Sequence, residues 1–375
     1  MDFHRFVTTL LFKVLVSTTL ITLQISPCLS AIFVFGDSLV DAGNNNYLVT
    51  LSKADFPPNG IDFPPDGKPT GRFTNGRTIV DIIGEELGMK SFPPPYLAPN
   101  TQSNAVWSGL NYASGASGIL DETGSLFIGR VPLRQQISNF EESRRHMVEV
   151  MGERNTSELL KDAIFSITIG SNDILNYIQP LDIPFLQDHP TLFPSTFQDL
   201  LVSNLSMHLQ RLHGLGARKF VVVDVGPLGC IPFVRAIKFA PQQKCSTEVN
   251  TLIRGYNFKL KEELRRLNRD IGPAAIFLYA NSYYVVRQII LNFHHFGFEN
   301  SDGPCCGGYV PPFLCHLGKN ESLSSIMCEE RGKYVFWDAY HPSEATNLIL
   351  AEKLLNGDKI VIYPMNVNQL HRYKL

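Results

Sequence analysis

Short apolar, β-branched or aromatic runs punctuate the chain at Ala31 to Phe35, Ala163 to Ile169, Phe220 to Val225, Ala275 to Tyr279 and Tyr334 to Trp337. Their length and lack of alternation predict strands buried on both faces. Between them the apolar spacing turns helical. Ile79, Ile82, Ile83 and Leu87 share a face stopped by Gly88, and Leu201, Leu205, Leu209 and Leu212 share one stopped by Gly214. Val249, Leu252, Ile253, Tyr256, Leu260, Leu264 and Leu267 form a third. Strands alternating with helices predict a parallel sheet covered by helices on both faces. The Pro-rich, aromatic stretches Phe56 to Pro69 and Phe92 to Pro99 read as ordered surface loops.

The first 30 residues do not fit this pattern. Arg5 and Lys13 precede an apolar, hydroxyl-rich run, and Cys28-Leu29-Ser30 puts small residues before a plausible cut. This reads as a secretory signal peptide, leaving residues 31–375 as one domain. The run is shorter than the ~20 residues a spanning helix needs, and no later segment qualifies as a transmembrane helix. The full chain has 18% charged residues and a net charge of -2 without basic runs, which argues against disorder and against nucleic acid. Six cysteines follow the leader: Cys230, Cys245, Cys305, Cys306, Cys315 and Cys328. Export and the absence of paired Cys-x-x-Cys hooks favour disulfides over zinc. Cys230 with Cys245 is the expected local loop, and adjacent Cys305 and Cys306 are expected to reach out to Cys315 and Cys328. Sequons at Asn155, Asn204 and Asn320 are candidate sites for N-linked glycans.

Candidate chemistry follows the strands. Gly36-Asp37-Ser38-Leu39 succeeds the first, Gly170-Ser171-Asn172-Asp173 the second and Asp338-Ala339-Tyr340-His341-Pro342 the last. In an open parallel sheet, loops leaving the carboxyl ends of the strands converge, so the clusters are expected to meet. A serine hydroxyl needs a base to take its proton, and the base needs a partner to set its tautomer. Ser38, His341 and Asp338 are the catalytic candidates, with Asp338 three residues before His341. An ester carbonyl under attack develops a negative oxygen that requires donors. Asn172 offers an amide, and the small-residue loop Asn111 to Gly118 offers backbone N–H groups. His146, His208, His294, His295 and His316 have no Asp three residues earlier. Neither a His-Glu-x-x-His helix, a P-loop nor a Gly-x-Ser-x-Gly elbow occurs.

Together with Ile32 to Asn46, these motifs resemble a plant-type GDSL esterase/lipase of the SGNH hydrolase superfamily. The segments Gly71 to Arg77, Asn111 to Gly118 and Gly226 to Cys230 match that family in order and spacing. The resemblance implies a flavodoxin-like three-layer α/β/α sandwich with a central parallel sheet. It also implies Ser38 as nucleophile, Asp338 and His341 as its relay, and an oxyanion hole from the Ser38 N–H, Asn172 and a loop glycine. Gly115 is the expected glycine because it follows Ser114. The expected protein is a secreted, cofactor-free and metal-free esterase acting on lipid acyl esters or acetylated cell-wall polysaccharide. A lipid- or glycan-binding protein of the same fold without turnover is the alternative.

Overall fold

A computed structural model describes residues 31–99, 101, 106–178, 192–238, 244–308, 315 and 327–375. The expected signal peptide and Asn320 lie outside them. Strands β1 (Ile32–Gly36), β2 (Ile164–Thr168), β3 (Lys219–Val223) and β4 (Ile276–Ala280) run parallel in sequence order, and every residue in them is buried. A two-residue strand, Ile362–Tyr363, closes the far edge antiparallel to β4. Beyond β1, residues 108–112 continue the sheet as a narrow edge. Ile32 N–H donates to Ser108 O (3.2 Å), Val34 N–H to Leu110 O (2.9 Å) and Tyr112 N–H to Val34 O (2.7 Å). The loop that follows Tyr112 therefore emerges beside the end of β1.

The three expected helices form. α1 (Ile79–Glu86) starts in a reciprocal capping box between Thr78 and Asp81. A longer helix, α2 (Leu133–Asp162), is missing from the hydrophobic reading. Its inward face is interrupted by Gln136 and Ser143, both buried, and Gly152 (φ 82°) kinks it. α3 (Ser171–Ile178) leaves the end of β2, and α4 (Pro194–Gly214) begins with proline in its first turn. α5 (Pro232–Ile237) is short, and α6 (Thr247–Ile271) is capped by the Ser246 side chain. α7 (Ser282–Leu291), α8 (Glu344–Asn356) and α9 (Val367–Arg372) complete the set among the described residues. α2, α4 and α6 pack as one group, and α1, α7 and α9 pack around α8 as another. Phe140 of α2 meets Phe33, Phe35 and Phe165 edge-on at 5.2, 5.8 and 5.3 Å, fastening its group to the sheet.

The fifth apolar run departs from expectation. β6 (Tyr334–Phe336) pairs in parallel with β5 (Asn300–Pro304) in a separate two-stranded sheet. Polar Asn-Ser-Asp-Gly-Pro carries no strand pattern, so its pairing depends on tertiary contacts. Disulfides Cys305–Cys328 and Cys306–Cys315 bind this corner around buried Trp337, and Cys230–Cys245 closes the expected local loop. Asn155 stands exposed on α2. Asn204 is half-buried on α4, its Nδ2 donating to Leu200 O (2.8 Å), and the Ser206 hydroxyl of that sequon is paired with Glu263.

Candidate active site

β1 ends in a turn with room for glycine alone. A Cβ on Gly36 would lie 2.3 Å from Thr168 O and 2.6 Å from Val40 Cγ2. Asp37 N–H then donates to Thr168 O (3.1 Å), while Asp37 O accepts from Val40 and Asp41, turning Ser38 away from the strand. Buried Gln136 grips this point from α2: its Oε1 accepts from Gly36 N–H (2.9 Å), and its Nε2 donates to Gly36 O and Val131 O (both 2.8 Å). Sequence reasoning missed Gln136. Its signal was a polar residue on the inward face of an otherwise apolar turn, between Leu133 and Ile137.

The hydroxyl of Ser38 lies 2.7 Å from His341 Nε2. On the other side of the ring, Nδ1 lies 2.8 and 2.9 Å from the two oxygens of Asp338. The backbone N–H groups of Tyr340 (2.8 Å) and His341 (2.7 Å) both donate to Asp338 Oδ1, so the three-residue spacing folds into a tight turn around the carboxylate. Asp338 and His341 are buried. A carboxylate on Nδ1 leaves Nε2 as acceptor toward the hydroxyl, the arrangement that lets an imidazole take a serine proton.

Residues 71–77 brace the relay. The Phe73 ring sits 5.2 Å from the His341 ring, Thr74 Oγ1 donates to Pro342 O (3.1 Å), and Asn75 Oδ1 accepts from Glu344 N–H (2.8 Å). The segment is itself pinned by Arg72, whose guanidinium pairs in bidentate fashion with Asp81 at 2.7 and 2.8 Å.

Asn172 opens α3 beside the loop from Ala113 to Gly118, and its Nδ2 donates to Ser117 O (3.0 Å). One amide proton is thereby engaged, leaving the other for an incoming oxygen. Two buried carboxylates hold the loop and the residues that follow it. Asp173 accepts from Ile119 N–H (2.9 Å), Leu120 N–H (3.1 Å) and Thr123 Oγ1 (2.7 Å). Asp41 accepts from Gly43 and Asn44 (both 2.7 Å) and from Gly115 N–H (3.0 Å). That last bond corrects the expectation for Gly115. Its N–H is bound to a carboxylate, and its Cβ position is walled by Phe73, Asn45 and Ser52. Among the described residues, the Ala116 and Gly118 N–H groups have no hydrogen-bond acceptor, and Ala116 is held at φ 66°.

Burial pushes Asp37 up to about 7, and Asp41, Asp173 and Asp224 up to about 6. An acid whose folded pKa is raised contributes stability in full below its unfolded value of 3.8, and that contribution is lost as pH climbs through 6 to 7. His208, pushed down to about 4 by burial, and His213, also lowered by burial, act oppositely below 6.5 but are two groups against four. The melting temperature is therefore expected to fall between pH 5 and pH 7 at constant ionic strength. A flat or rising profile by scanning calorimetry would contradict this balance.

Residues 32–354 match the family model for GDSL-like lipase/acylhydrolase. The chain is 60% identical over 343 residues to a GDSL esterase/lipase of Arabidopsis thaliana, covering 90% of this chain and 92% of that protein. Two further Arabidopsis thaliana GDSL esterase/lipases are 47% and 46% identical, covering 92% and 91% of this chain and 91% of each relative. With a mainly parallel sheet between two helical groups and the motif-bearing loops gathered at its edge, the chain belongs to the GDSL-like lipase/acylhydrolase family.

Proposed function

We propose that this chain is a secreted serine esterase that hydrolyses carboxylic esters through an acyl-enzyme on Ser38. The observation carrying the reading is the continuous relay from Ser38 Oγ through His341 to Asp338, at 2.7 and 2.8 Å. His341 Nε2 takes the hydroxyl proton as Ser38 Oγ bonds to the ester carbonyl carbon. The resulting oxyanion is met by the free proton of Asn172, the Ser38 N–H and an unengaged N–H of the 116–118 loop. As the carbon–oxygen bond to the alcohol breaks, His341 returns the proton to the leaving oxygen. Water then repeats the sequence on the acyl-enzyme and releases the acid. Asp338 orients the ring and stabilises its charged form. No cofactor enters any step.

Export through a signal peptide at residues 1–30 is supported by the leader pattern and by three disulfides, which suit an oxidising compartment. Glycans at Asn155, Asn204 and Asn320 belong to the same reading, with exposed Asn155 the most accessible of the described sequons. A fluorophosphonate probe tests the chemistry directly. Wild-type protein is expected to be labelled with one equivalent and Ser38→Ala with none, and folded wild-type protein that resists labelling would point to a binding protein instead.

A further inference from the structure

Two loops beside the candidate site expose an unusual amount of apolar surface. Val49 is 84% exposed, Leu51 70% and Ile128 62%, with Tyr47, Leu126 and Phe127 also exposed. The loops are joined to each other: Leu51 N–H (3.1 Å) and Thr50 Oγ1 (2.9 Å) both donate to Phe127 O, and Thr50 bridges Ile128. No acidic, basic or histidine side chain occurs in residues 42–52 or 123–129. Large apolar side chains gathered at a surface mark a contact with something apolar.

This ledge is continuous with the loop that borders Ser38. Asn45 Nδ2 donates to Ser52 O (2.8 Å) and Gly115 O (3.1 Å), and Asn45 Oδ1 accepts from Ser114 Oγ (2.6 Å). On the other loop, Thr123 is bound to Asp173, and a Cβ on Gly124 would come within 1.9 Å of Ala116 O. The ledge is also built rigidly. Ile128 sits at φ 71° and ψ -90°, a backbone region that β-branched residues avoid. Arg130 clamps the loop that carries it, donating to Thr123 O (2.8 Å), Asp121 O (2.6 Å) and Ile128 O (3.4 Å). Such strain survives only where the surroundings over-determine it, and here it holds an isoleucine outward.

We infer that Val49, Leu51, Phe127 and Ile128 seat the protein on the surface of an aggregated, uncharged acyl-ester lipid, so that ester groups reach Ser38 from an apolar phase. This rests on the hydrolase reading and narrows its substrate class. The apolar stretches are uncharged and the side chains flanking them, Lys53, Asp121, Glu122 and Arg130, balance in sign, which selects a neutral phase over an anionic one, because an excess of basic side chains is what draws a protein to anionic lipid. A soluble acetylated polysaccharide would leave the ledge in water.

The test uses the mature protein, wild type and Val49→Ser/Leu51→Ser/Ile128→Gly, both also carrying Ser38→Ala for binding measurements. Cosedimentation with a triolein emulsion stabilised by phosphatidylcholine is expected to weaken about 10- to 100-fold in the triple variant. Raising sodium chloride from 50 to 500 mM should leave wild-type binding unchanged, since the attraction is not coulombic. In the Ser38 forms, hydrolysis of p-nitrophenyl acetate should be equal and hydrolysis of tributyrin above its solubility limit should drop about 10-fold or more. Equal sedimentation of wild type and triple variant overturns the inference, as does binding that salt abolishes. A wild-type dimer that the substitutions turn into a monomer without loss of emulsion binding also overturns it, assigning the ledge to a second copy. Because sedimentation of the Ser38→Ala forms needs no turnover, it reads the ledge independently of the hydrolase reading.

Discussion

Ser38→Ala is expected to lower kcat by about 10⁶, and Asp338→Asn by about 10⁴, on any ester the enzyme turns over. In the proposed mechanism, the first removes the atom that bonds to the carbonyl carbon. The second keeps nearly the same shape, but an amide facing Nδ1 favours the tautomer that places a proton on Nε2, where the serine proton must go. Both oxygens of Asp338 lie within 2.9 Å of Nδ1, so the wrong tautomer would be held as firmly as the right one. Asn172→Ala leaves the relay whole and deletes one proposed oxyanion donor, an expected loss of about 10² to 10³ in kcat with KM nearly unchanged. A Ser38→Ala/Asp338→Asn double variant should be no slower than Ser38→Ala alone, because the two act as one unit. Steady-state kinetics with melting temperatures for each variant check the series. An Asp338→Asn enzyme within about tenfold of wild type would remove the carboxylate from the relay.

Arg72→Met is expected to destabilise the protein by about 3–5 kcal/mol, because it strands the buried Asp81 carboxylate without its partner. The side chains are 6% and 2% exposed, so water does not replace the lost contact. Burial by itself would raise the Asp81 pKa, and Arg72 with Thr78 reverses this and holds it low. Arg72 is also stacked 4.6 Å over the Phe63 ring, and methionine recovers only part of that packing. A second substitution, Asp81→Asn, should restore much of the loss, since a neutral amide can still accept from Thr78 N–H at the helix start. Urea unfolding of wild type and of the single and double variants is the measurement. If the double variant is as unstable as Arg72→Met, packing rather than the stranded charge sets the cost.

What could be read from the amino-acid sequence was whatever depends on local pattern. β1 to β4 were legible because strands buried on both faces must be apolar throughout, and α1, α4 and α6 because each presents one apolar stripe. The Asp338–His341 dyad was legible because three residues suffice to fold a carboxylate onto an imidazole. Cys230–Cys245 was legible as a short loop. Tertiary structure alone decided the rest, because those features join residues distant along the chain through groups with no periodic signature. β5 is polar and exists by pairing with β6, so the final apolar run lies outside the central sheet that it was expected to join. Gln136 reaches Gly36 across 100 positions, with backbone N–H and C=O as its partners, which no side-chain pattern announces. Gly115 follows a serine as an oxyanion glycine was expected to do, yet Asp41, 74 positions earlier, takes its N–H. Residue types and short spacings determined which chemistry is available to this chain. Which N–H groups remain free for that chemistry depended on where the folded backbone placed each buried carboxylate.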